Sequence, residues 1–68
     1  MDKNTIKAIS AKIRLKRIEL GYSQEYMGNR LGISQSVYSQ NERNISNIPV
    51  SRMLEIFEIL NITCAIKL

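Results

Sequence analysis

The sequence has no histidine, one aspartate (Asp2) and one cysteine (Cys64). These absences remove most catalytic chemistry. General acid–base work has no imidazole to use, and Cys64 has no histidine to activate it. No cluster of metal ligands and no glycine-rich phosphate loop is present. No enzymatic activity, metal or cofactor is therefore expected. One cysteine cannot close an intramolecular disulfide, and a single thiol fits a reducing compartment. No apolar run approaches the roughly 18 residues of a membrane span. The opening MDKNTIKAIS lacks the apolar core of a signal peptide. The expectation is a cytoplasmic protein with no membrane partner. Its 68 residues suffice for one small domain, 1–68.

Charge is present, and its placement is uneven. Residues 1–43 hold eight basic and four acidic side chains, an excess of +4, whereas residues 44–68 hold two of each. The whole net charge of +4 therefore lies in the first two thirds of the chain. A solvated basic face is one reading. A surface for nucleic acid, the natural polyanion, is the other.

One proline and three glycines punctuate the chain. Ile6, Ile9, Ile13 and Leu20 recur at helical spacing, which predicts an amphipathic helix over about 5–20. Gly21 stops it where a left-handed residue is wanted, and Tyr22 packs across the turn. Ser23 is the expected N-cap of a short helix from Gln24 to Leu31, with Tyr26, Met27 and Leu31 as its apolar contacts. Gly28 in its middle costs about 1 kcal/mol relative to alanine, which points to close approach of another helix. Gly32 ends that helix, Ile33 plugs the turn, and Ser34 caps a third helix from about Gln35 to Arg43. A loop leads to Pro49 at the start of a fourth helix, about 50–60. Val50, Met53, Leu54, Phe57 and Leu60 form its expected core stripe, with Ile56 and Ile59 to the side. This helix is more apolar than one buried face requires. Asn61 can close it. The final ITCAIKL alternates in the manner of a short β-strand and needs a partner for its backbone.

One stretch needs a separate explanation. Residues 31–44, LGISQSVYSQNERN, place uncharged amides and hydroxyls along a helix where glutamate and lysine have better propensity. Two short helices joined by a tight glycine-containing turn make a helix-turn-helix. SQEYMGNRLGISQSVYSQNER resembles the core of lambda-repressor-like (XRE-type) helix-turn-helix domains. The matching residues are Ser23, Gln24, Glu25, Met27, Gly28, Leu31, Gly32, Ile33, Ser34, Tyr38 and Glu42. The likeness covers about residues 9–60. It implies an all-α, compact four- to five-helix fold, here with a short C-terminal β-strand. The helix-turn-helix falls at about 23–43 and a dimerisation segment at about 50–68.

The resemblance also explains the amides. A recognition helix lies in the major groove with its N-terminal residues at the base edges. Glutamine can pair bidentately with adenine, and serine serves several bases. Gln35, Ser36 and Gln40 are the expected base readers, with Ser39 next. Val37 either touches a thymine methyl or packs against the second helix. Gln24 opens the second helix, where free N–H groups favour a phosphate. Arg14, Arg43, Asn44 and Asn47 are further phosphate candidates, as are Lys16 and Arg30. Arg17 and Glu42 stand where some relatives form an ion pair between the first and third helices. Asn41 and Lys16 depart from positions that are commonly apolar.

Such domains bind two-fold DNA sites as dimers. The expected dimer contact is the fourth helix and the strand, through Ile56, Ile59, Ile62, Cys64 and Ile66. The ending NITCAIKL also resembles HipB-type antitoxins, whose terminal strand pairs across the dimer axis. The functional expectation is a sequence-specific regulator of double-stranded DNA, an autoregulating repressor and homodimer. The alternative is an antitoxin that also holds a toxin protein.

Overall fold

The structure is a computed structural model that describes residues 2–62. Four α-helices follow one another: α1 (Lys3–Glu19), α2 (Gln24–Leu31), α3 (Gln35–Arg43) and α4 (Val50–Ile59). A 3₁₀ turn, Ile45–Asn47, sits between α3 and α4. The all-α reading holds. The strand expected over ITCAIKL lies outside the described residues from Thr63 onward.

The helix starts follow from side-chain chemistry. Ser23 and Ser34 accept hydrogen bonds from the backbone N–H groups of Tyr26 and Val37, at 2.9 and 3.1 Å. Each satisfies one of the donors that a helix start leaves free. α1 begins two residues before the periodicity predicts. Asp2 is the reason: its carboxylate accepts from Thr5 N–H at 2.7 Å and caps the helix early. That same bond holds the Asp2 carboxyl below its usual pKa.

Three helices stop by one device. Among the described residues Gly21, Gly32 and Asn61 have positive φ, at 75°, 71° and 56°. After each, a 6→1 and a 5→2 hydrogen bond close the end. Tyr22 donates to Arg17 and Gly21 to Ile18 after α1; Ile33 donates to Gly28 and Gly32 to Asn29 after α2. Ile62 donates to Phe57 and Asn61 to Glu58 after α4. The half-buried Tyr22, Ile33 and Ile62 then fold back against the core.

Each element contributes to one core. Ile13 of α1, Met27 of α2, Tyr38 of α3, Ile45 of the 3₁₀ turn, and Ile56 with Leu60 at the end of α4 are all buried. Burying such a side chain fully is worth about 1.5–3 kcal/mol. The phase of α4 differs from expectation. Ile56 is fully buried, whereas Val50 and Leu54 are 66% and 46% exposed. The inward stripe is Met53, Ile56, Phe57 and Leu60, an i, i+3, i+4, i+7 set. The apolar residues of α4 span a wider arc than one buried stripe, so the packing against α2 selects the buried phase. Ile56 therefore has no surface left to offer a dimer partner.

Gly28 lies where α2 meets the turn into α3. A Cβ there would stand 2.9 Å from the carbonyl oxygen of Ile33 and 3.3 Å from the amide nitrogen of Gln35. Both atoms are backbone, so the turn itself would have to move. Alanine gains about 1 kcal/mol of helix propensity, and overpacking costs about 1–3 kcal/mol. Gly28→Ala is expected to lower stability by about 1 kcal/mol in denaturant unfolding. A more stable variant would show that the turn yields freely.

The Tyr38 hydroxyl is buried and has no hydrogen-bond partner among the described residues. Burial pushes its pKa well above the ordinary 10.0, and the nearby Glu42 carboxylate adds to the shift. The folded state thus holds the proton more tightly than the unfolded chain. Stability is intact below pH 10 and falls as pH rises beyond it. Tyr38→Phe is expected to change little at neutral pH and to flatten that alkaline decline. Thermal unfolding between about pH 8 and pH 11 reads both effects. An unchanged alkaline slope in the variant would assign the decline to another group.

Candidate nucleic-acid interface

Two cleft-lining elements meet at right positions for one surface. α2 presents its first residue, and α3 presents its outer face beside it. Gln24, Gln35, Ser36, Ser39, Gln40 and Arg43 line one shallow cleft. Gln35, Ser36 and Gln40 are exposed, and Ser39 and Gln24 are half-buried. The four expected base readers therefore share a surface with two of the expected phosphate residues. The lining holds no acidic side chain and one cation, Arg43. Val37 is 38% exposed on the same helix, which leaves part of its side chain free for a methyl contact.

The other phosphate candidates lie outside this cleft. Arg14 and Asn47 are exposed on α1 and the 3₁₀ turn. Asn44 is already engaged: its side-chain oxygen accepts from the N–H and the hydroxyl of Ser46. Its amide N–H groups remain for an acceptor. Lys16 pairs with Glu19 at 3.6 Å. Arg30 donates to the Tyr26 hydroxyl at 2.7 Å, with its guanidinium carbon 5.7 Å from the ring centroid. Tyr26 in turn packs on Tyr22, ring centroids 4.5 Å apart. Both cations thus have local partners.

A largely buried ion pair joins α3 to α1. Arg17 donates through Nε and Nη2 to the two oxygens of Glu42, at 2.8 and 3.1 Å. Its Nη1 donates to the Tyr22 carbonyl at 2.8 Å. One guanidinium therefore joins α1, the turn after it and the end of α3. The hydrogen bond to Glu42 raises the Arg17 pKa, and burial opposes the rise. Asn41, at a commonly apolar position, accepts a hydrogen bond from Arg52 of α4 at 3.3 Å. The polar substitution is matched by a polar partner.

Of the expected dimer residues, Ile59 and Ile62 are half-buried, and Cys64 and Ile66 lie outside the described residues. Val50 and Leu54 occupy the flank of α4 opposite Ile59, and the sequence pattern had assigned them to the core. Among the described residues no helix is long and apolar enough to cross a membrane.

Comparison with known proteins gives the family. The profile of the Helix-turn-helix family matches residues 13–66. The chain is 37% identical over 54 residues to an uncharacterized HTH-type transcriptional regulator of Sinorhizobium medicae (strain WSM419). It has the same identity over the same length to an uncharacterized HTH-type transcriptional regulator of Rhizobium meliloti (strain 1021). Each alignment covers 79% of this chain and 39% of the relative, so the chain spans about two fifths of their length. No solved structure gives a significant match. The chain belongs to the lambda-repressor-like, XRE-type helix-turn-helix family.

Proposed function

We propose that the chain is a sequence-specific transcriptional regulator of double-stranded DNA, a repressor that binds a two-fold operator as a homodimer. The observation that carries this reading is the shared cleft: Gln35, Ser36, Ser39 and Gln40 stand beside Gln24 and Arg43. α3 enters the major groove. Gln35 and Gln40 offer a donor and an acceptor each, the pattern that adenine presents there. Gln24 and the free N–H groups of α2 meet one phosphate, and Arg43 with the Asn44 amide meets another. Arg14 and Asn47 extend the backbone contact.

Dimerisation rests on Ile59 and Ile62, with Cys64 and Ile66 beyond them; Ile56 is excluded by its burial. Two α3 helices then fall about 34–36 Å apart, one DNA turn. Bound to its own promoter, the dimer blocks transcription. Such a regulator works in the cytoplasm. The alternative, an antitoxin that also holds a toxin protein, shares this DNA-binding surface, and a stable complex with the product of an adjacent gene would favour it.

The test is a fluorescence anisotropy titration onto a duplex covering the chain's own promoter, with a scrambled duplex alongside and a salt series. Preference for the promoter and a steep loss of affinity with salt are expected. Absence of binding to either duplex at low salt would overturn the DNA reading.

A further inference from the structure

Residues 3–12 of α1 precede the family match, which begins at Ile13. They carry Lys3 and Lys7, one helical turn apart and on one face. Lys3 and Lys7 line a second cleft with Ile6, Arg43, Asn44 and Ser46. Arg43 also lines the recognition cleft, so the two clefts share a wall. This places three cations and no carboxylate around one concave surface at the C-terminal end of α3. Asp2, next in sequence, is occupied as the N-cap of α1. Among the described residues neither lysine has an ion-pair partner. Like charges at i, i+4 destabilise a helix, so the fold itself gains nothing from the arrangement. A polyanion would.

The dimensions fit the backbone of double-stranded DNA. α3 has nine residues, about 13 Å at 1.5 Å per residue. The major groove is about 12 Å wide. With the N-terminal end of α3 at the base edges, its C-terminal end emerges at the phosphate wall. Arg43 stands there, and Lys3 and Lys7 stand beyond it. We infer that Lys3 and Lys7, joined to the recognition surface through Arg43, form a phosphate clamp for the DNA backbone flanking the bases read by α3. The inference rests on the DNA-binding function proposed above and adds the N-terminal turns of α1 to the interface.

The experiment titrates the 68-residue chain onto a mixed-sequence duplex across a salt series, beside the variants Lys3→Gln/Lys7→Gln and Lys12→Gln. Lys12 lies roughly 160° around α1 from the lysine pair, at 3.6 residues per turn. Each phosphate neutralised contributes about 0.9 to the slope of log K against log salt. The double variant is expected to lower that slope by about 1.8 with unchanged helicity and thermal unfolding. Lys12→Gln should leave the slope unchanged. Salt-dependent wild-type binding with an equal slope in the double variant would overturn the clamp and leave the DNA reading standing. A loss of about 0.9 in Lys12→Gln, half that of the double variant, would also overturn it, since net charge would then be the cause. No wild-type binding at all would overturn both.

Discussion

Glu42→Ala is expected to cost about 3–5 kcal/mol of folding stability. The Arg17 and Glu42 side chains are only 12% and 4% exposed. Removing the carboxylate leaves a guanidinium in a desolvated site with one remaining acceptor, the Tyr22 carbonyl. That uncompensated charge is the source of the cost, more than the net worth of the pair. A domain of this size is stable by about 0.05–0.15 kcal/mol per residue, so the variant loses a large share of its folding stability. Glu42→Gln keeps an oxygen for Arg17 and should lose clearly less. Denaturant unfolding of the three proteins measures this. Equal stability in all three would remove the ion pair from the account.

Gln35→Ala is expected to weaken binding to the preferred site by about 1–3 kcal/mol and to leave binding to random duplex nearly unchanged. Gln35 is the first residue of α3 and is exposed, at the end proposed to meet the bases. Its amide carries sequence information through paired donor and acceptor. It contributes no charge, so the phosphate term that dominates non-specific binding does not involve it. Because Ser34 caps α3 next to it, the alanine should not disturb the helix start. Equal losses on specific and random DNA would remove Gln35 as a base reader and move the specificity to Ser36 and Gln40.

These two effects also mark what the sequence makes legible. Caps and stops are local chemistry, so Ser23, Ser34, Gly21 and Gly32 could be placed from their own neighbours. The left-handed Asn61 is of the same kind. The Arg17–Glu42 pair spans 25 residues and could be anticipated only through the family resemblance. The polar run of α3 stood out because amides and hydroxyls along a helix face contradict simple solubility, and Gln35, Ser36, Ser39 and Gln40 do line one cleft. The phase of α4 was not. Two helical stripes fit its apolar pattern, and only packing against α2 decides that Ile56 goes in and Leu54 stays out. The meeting of Lys3 and Lys7 with Arg43 was equally hidden, since it depends on how α1 crosses the end of α3.

The central claim is that α3 reads DNA sequence. Selection of bound duplexes from a random pool by the purified chain, followed by sequencing, tests it most directly. One enriched motif is expected, arranged as two inverted half-sites about one helical turn apart, with the enrichment weakened by Gln35→Ala. A bound pool with no sequence enrichment would contradict it and leave only a charged surface that holds DNA of any sequence.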